Sequence, residues 1–178
     1  MKQLLLFNRQ KSRPLSLALL RRMARRILED LRACRKYELG VHLIGYSEMR
    51  KLNETFLGHA GSTDVITFDH NDDAGDGNPP GRAPRPAFPS PPISVSLHGE
   101  IFISVDDAVA QAGRFRATWQ AEIVRYLAHG ILHLEGYNDT EPTARRTMKR
   151  AENRLVLELS QRFDFDKLDR AKNGCKSK

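Results

Sequence analysis

The chain has 178 residues, 40% of them hydrophobic, 7% aromatic and 29% charged, which suits one compact domain with a mainly aliphatic core. Lys and Arg number 29 against 22 Asp and Glu, a net charge of +7 that fits a polyanionic partner without establishing one. No apolar run approaches the roughly 20 residues that cross a bilayer. Leu4–Phe7 is too short for a secretory core, and Cys34 and Cys175 have no metal-ligand spacing and make poor disulfide partners. A soluble protein in a reducing, cytoplasmic setting is expected, with no membrane partner.

Lys2–Phe7 reads as a first strand. After Pro14, the residues Leu17, Leu20, Ala24, Ile27, Leu31 and Cys34 recur at helical spacing, which predicts an amphipathic helix. Its other face carries Arg21, Arg22, Arg25, Arg26 and Arg32, a pattern that more often marks a solvated face than an RNA contact. Tyr37–Tyr46 reads as a second strand, followed by a short helix through Met49, Leu52 and Phe56 with Ser47 as N-cap and Gly58 as its end.

The β-branched run in Thr63–Phe68 and the Ile101-Phe102-Ile103 pattern in Gly99–Ser104 read as two strands that pair with each other. Between them, residues 70–92 are rich in Asp, Asn, Gly and Pro, with seven of the nine prolines lying between Pro79 and Pro92. No regular element runs through such a segment, and it is expected to be a disordered surface insertion rather than a domain boundary. Asp106–Phe115 and Ala117–Leu134 follow as helices, the second with Trp119, Ile123, Leu127, Ile131 and Leu134 on one stripe and Gly136 just past its end. A last helix begins near Thr140, tolerates Pro142 in its first turn, and continues through Ala144, Met148, Ala151, Leu155 and Leu159. The order predicts a single α+β domain over residues 1–165, a small mixed sheet packed by about five helices, with residues 166–178 as a charged flexible tail.

The stretch His129-Gly130-Ile131-Leu132-His133-Leu134-Glu135-Gly136-Tyr137-Asn138-Asp139 carries the chemistry. Residues four apart share a helical face, so the imidazoles of His129 and His133 can converge on one ion. Gly136 lets the chain leave the helix and turn back, which brings Asp139 within reach of a third position. Two imidazoles and a carboxylate suit Zn²⁺ and leave a coordination position for water, as catalytic sites do. A histidine pair at this spacing is by itself weak evidence, and the Gly136 break with Asp139 after it shifts the balance toward a metal.

These residues resemble the signature H-G-x-L-H-L-x-G-Y-D-H of the YbeY (UPF0054) endoribonucleases. Seven positions match, from His129 to Tyr137, while Asn138 and Asp139 stand where the family has Asp and a third His. Leu52-Asn53, Phe56 and Gly58 resemble the family's L-N-x-x-[YF]-R-G, with Leu57 in place of the Arg; Thr63–Phe68 is similar to T-D-V-L-S-F, and Gly99-Glu100-Ile101 to G-D-I.

The resemblance implies a zinc-dependent, single-strand-specific endoribonuclease acting in 16S rRNA 3'-end maturation and ribosome quality control. Its partners would be ribosomal RNA and the small ribosomal subunit, with one Zn²⁺ on His129, His133 and Asp139 and no small-molecule cofactor. Asn53 and Asp64 are candidate catalytic residues, each with a local cap or turn hydrogen bond as its alternative role. Arg50, Lys51 or His59 would have to compensate for Leu57. A catalytically weakened RNA-binding or ribosome-binding factor with a structural metal is the alternative. A zinc peptidase is disfavoured, because Gly130 stands where H-E-x-x-H proteases carry their general-base Glu.

Overall fold

The computed structural model describes residues 1–71, 96–115 and 117–173. Most of the proline-rich segment predicted as an insertion lies outside them. Four strands form one mixed sheet in the order β1-β2-β4-β3, where β1 is Lys2–Asn8, β2 Lys36–Ile44, β3 Val65–Asp69 and β4 Ser96–Ser104. The β1–β2 and β2–β4 pairs are parallel, and β3 runs antiparallel along β4 with Ile66 opposite Phe102, the pairing expected from sequence.

Period-2 alternation sorts each strand. Leu4, Tyr37, Leu39, Val41, Leu43, Leu97, Ile101 and Ile103 face the main core, while Ile44, Ile66 and Phe102 face a smaller cluster with Met49. Helices α1 (Leu17–Arg25), α3 (Val105–Phe115), α4 (Trp119–Leu134) and α5 (Pro142–Ser160) are the longer ones, and the short α2 (Tyr46–Leu52) contributes Met49 to the smaller cluster.

Several boundaries differ from the sequence reading. Helix α1 passes into a π-helical stretch, Arg26–Leu31, so Cys34 lies beyond its end, although it is still buried in the core. Arg32 is not solvated: its guanidinium forms an ion pair with Glu135 and lies over the Tyr137 ring at 5.6 Å. The cap of α2 is not Ser47. The cap position is Gly45, two residues earlier, and the helix starts at Tyr46, whose backbone N–H donates to the Asp106 carboxylate at 2.7 Å; the capping oxygen comes from a distant segment and leaves no local signal.

The stretch read as a tail is also packed in part. Phe165–Leu168 forms a 3₁₀ turn with Leu168 fully buried, and Asp169 bridges back to Leu15. One leucine in a charged segment carries no periodicity, so spacing alone gives no sign of this contact. Residues 174–178 lie outside the described residues.

Helix α4 is apolar almost all round, as a helix at the centre of a domain must be. Its described side chains are buried apart from Trp119, Ala121, Glu122, Arg125, His129 and His133. Two glycines set its distance from the sheet. A Cβ on Gly130 would stand 2.6 Å from Ile101 Cγ2, and one on Gly99 would stand 2.4 Å from the Phe68 carbonyl oxygen and 2.9 Å from Leu134 Cδ2. The helix therefore rests directly on β4, and the two ends of the His129–His133 turn are fixed in depth.

Gly99→Ala is expected to lower stability by about 1–3 kcal/mol, the usual cost of overpacking, because the atom it meets is backbone in a paired strand. Denaturant unfolding of the variant against the parent measures this.

Candidate metal centre

The incompletely buried stripe of α4 forms one wall of a cleft of about 520 Å³, contributing Glu122, Arg125 and His129. Helix α5 forms the other with Arg145, Met148, Lys149 and Glu152, and Asp64 and Asp139 close it. Helix α5 packs back against α4 because of how α4 ends. Gly136 takes φ 93°, its N–H donates to the His133 carbonyl at 2.8 Å, and the Tyr137 N–H donates to the Leu132 carbonyl at 3.0 Å. This pair of bonds is the Schellman motif, which satisfies two terminal carbonyls and reverses the chain. Asp139 is thereby returned to the histidine face, as the sequence predicts.

His129, His133 and Asp139 each offer one ligand atom, and these atoms all lie within 4.8 Å of one another. The two Nε2 atoms are 3.0 Å apart, and His129 Nε2 is 3.9 Å from Asp139 Oδ2. Each imidazole is oriented through its other nitrogen. His133 Nδ1 lies 3.1 Å from the Tyr137 carbonyl, which only accepts, so Nδ1 carries the hydrogen. His129 Nδ1 lies 3.0 Å from Glu152 Oε2. That carboxylate is ionised: burial opposes its charge, but hydrogen bonds from His129, Lys149 and Arg125 outweigh burial and hold its pKa down to about 2.

In neutral rings, both Nε2 lone pairs then point at one another across 3.0 Å, an arrangement that a shared cation relieves. Burial, and next the neighbouring His129 ring, push His133 below its ordinary pKa, which favours the neutral, ligating form. The donor set and its second contacts thus fit a divalent ion with borderline preferences.

The two candidate catalytic residues separate. Asn53 is buried, its Nδ2 donates to the Gly61 carbonyl at 2.9 Å, and it does not line the cleft; it holds the loop between α2 and β3. Asp64 does line the cleft. Its Oδ1 accepts from the Val65 N–H at 3.0 Å and the Thr63 hydroxyl at 3.1 Å, and among the described residues Oδ2 has no hydrogen-bond partner. Leu57 is half exposed, and Arg50 is engaged with Glu54 at 2.8 Å; neither these two nor Lys51 or His59 reaches the cleft.

Sequence reasoning missed Glu152 and Tyr126. Glu152 left a signal, since it occupies the buried stripe of α5 between Met148 and Leu155, where an unpartnered carboxylate would be costly. Its partners are Arg125 and Lys149, each at 2.6 Å, besides His129. The Tyr126 hydroxyl is buried with no partner among the described residues, and burial, then Asp64, raises its pKa so that it remains a donor. A tyrosine in an apolar helix gives no such sign in sequence.

Glu152→Gln is expected to cost about 1–3 kcal/mol at neutral pH. The Glu152 pKa is depressed from its ordinary 4.5, so its contribution is complete above that value and is lost as pH falls through about 2. Unfolding measured over a pH series should show the difference between variant and parent narrowing across that window.

Comparison with known proteins agrees with the geometry. The family model described as Endoribonuclease YbeY matches residues 5–160. A relative from Thermobifida fusca, named Endoribonuclease YbeY, is 35% identical over 137 residues, covering 77% of this chain and 81% of that protein. One of the same name from Anaeromyxobacter sp. (strain Fw109-5) is 35% identical over 119 residues, 67% of this chain, and the match spans only 53% of that longer protein. A solution structure from Thermotoga maritima shares the fold with a TM-score of 0.56 at 22% identity, over 88% of this chain and 89% of that one. With its histidine-bearing helix, its glycine turn and a match running from β1 to the end of α5, the chain belongs to the YbeY endoribonuclease family.

Proposed function

We propose that the protein is a zinc-dependent, single-strand-specific endoribonuclease of the cytoplasm, acting in 16S rRNA 3'-end maturation and ribosome quality control on the small ribosomal subunit. The observation that carries the proposal is the convergence of His129, His133 and Asp139, two of which line a cleft that also holds Arg125, Arg145 and Lys149. Family membership supports the reaction class, and the absence, among the described residues, of any helix long and apolar enough to cross a membrane is consistent with the setting.

The residues divide the work. His129, His133 and Asp139 would hold the ion, and Glu152 and the Tyr137 carbonyl keep both imidazoles turned with Nε2 toward it. When bound, Zn²⁺ supplies Lewis acidity, favouring ionisation of water and stabilising charge that develops on phosphoryl oxygens. Asp64 lines the same cleft with a carboxylate oxygen that has no hydrogen-bond partner among the described residues, and it would accept a proton from the attacking hydroxyl or water. The Tyr126 hydroxyl, buried and with no partner among the described residues, is a hydrogen-bond donor that would serve that carboxylate.

A second reading, an RNA-binding factor whose metal is structural, is favoured by one observation: Leu57 offers no cation to the cleft where the family signature has an arginine. Chelation separates the two. Loss of cutting with the fold intact supports the enzyme, whereas unfolding on chelation by a protein that never cut supports the structural role.

The purified protein is expected to carry zinc and to cleave single-stranded rRNA fragments, and His133→Ala to do neither; equal cleavage by both proteins rules the proposal out. Asp139→Ala should lose zinc, and undiminished zinc would contradict its assignment as a ligand. Glu152→Gln should bind zinc about 10- to 100-fold more weakly, as loss of the partner that orients a ligating histidine does.

A further inference from the structure

Three cationic side chains line the cleft, Arg125, Arg145 and Lys149, against four carboxylates, Asp64, Glu122, Asp139 and Glu152. Two of the cations are already committed. Arg125 Nη1 and Lys149 Nζ both lie 2.6 Å from Glu152 Oε1, and Arg125 also faces Glu122 at 3.8 Å. Arg145 differs. Its Nε donates to the backbone carbonyl of Asp139 at 2.9 Å, and among the described residues its guanidinium has no carboxylate partner.

That single bond has two consequences. It orients the planar guanidinium beside the turn that carries Asp139, and among the described residues it leaves both Nη groups with their N–H donors unspent where Arg145 lines the cleft. A fixed guanidinium with a free pair of donors matches a phosphate, which it grips through two parallel hydrogen bonds. The cleft without an ion has one more carboxylate than cations, so a bound divalent cation reverses its net sign and makes it attractive to a polyanion.

We infer that Arg145 binds a backbone phosphate of the single-stranded RNA next to the one that reacts, and that this contact, rather than the committed pair Arg125 and Lys149, fixes the strand in the cleft. This deepens the endoribonuclease reading and rests on it for the class of polyanion. Arg145 carries both contacts at once, so the position of the Asp139 turn and the grip on the substrate are linked through one side chain.

The test is binding of a short labelled single-stranded oligoribonucleotide to the zinc-loaded protein, followed by fluorescence anisotropy over a range of salt, with zinc content and cleavage measured on the same samples. Arg145→Gln, which keeps a donor for the Asp139 carbonyl, is expected to retain zinc, to bind RNA about tenfold more weakly, and to flatten the dependence of log K on log salt by about one phosphate contact. Arg145→Lys, which keeps the charge but loses the fork, should restore the salt slope and only part of the affinity.

Wild-type affinity and slope in Arg145→Gln would overturn the inference. So would a loss of zinc in that variant with RNA binding no weaker than that of the zinc-stripped parent, because Arg145 would then serve only to pin the turn. A parent that binds RNA through Arg145 but cuts none would sink the nuclease reading and leave the phosphate contact standing, whereas a parent that cuts RNA as well as Arg145→Gln does, at equal affinity, would do the reverse.

Discussion

The geometry of the site depends on how closely α4 lies on the sheet. Gly130 faces Ile101 and Gly99 faces Leu134, and at neither place is there room for a further carbon. A packed interior does not yield continuously, so this contact fixes the depth and rotation of the helix. Once these are set, most side chains of α4 that turn inward are apolar, Gln120 and Tyr126 being the polar exceptions, and the less buried stripe carries Glu122, Arg125, His129 and His133. Gly130 thus serves packing at the position where a metalloprotease would carry its base.

The polar groups around that stripe form a chain of dependencies. Glu152 sits in the buried face of α5 and stays charged because His129, Lys149 and Arg125 all donate to it. The same carboxylate turns His129 so that its Nε2 faces that of His133, while the carbonyl of Tyr137, delivered by the glycine turn, does the same for His133. On the far side of the turn Arg32 forms an ion pair with Glu135 and donates to the Tyr137 hydroxyl at 3.3 Å, anchoring the segment between the last helical histidine and Asp139 to the end of the first helix. A hydrogen-bonded shell of this kind holds the three side chains in place in advance, so that less ordering would remain to be done if they took up an ion.

Charge in the cleft is nearly balanced, although the chain as a whole is strongly basic. The excess of Lys and Arg therefore lies largely outside the site, where it raises attraction for a polyanion at long range without specifying where that polyanion sits. Placement falls to the few groups that face the cleft and are not consumed by internal ion pairs. Leu57 lies away from the cleft, whereas the Asp139 carboxylate lines it and adds one negative charge beside the two imidazoles.

Local spacing carried a good deal of this. The period of apolar residues determined the strands and the main helices, the pairing of β3 with β4 followed from two matching β-branched runs, and a histidine pair one turn apart followed by glycine and aspartate was enough to mark the three converging side chains, because all of them belong to one helix and the turn after it. What spacing could not carry were contacts between residues far apart in the chain: the Asp106 cap on α2, the Arg32–Glu135 pair, the burial of Leu168 and the role of Glu152. Asn53 and Asp64 lie close in sequence and looked alike, yet one holds a loop and the other faces the cleft. Side-chain direction at the end of a short helix or the start of a strand is set by what packs against it, and only the tertiary structure decides that.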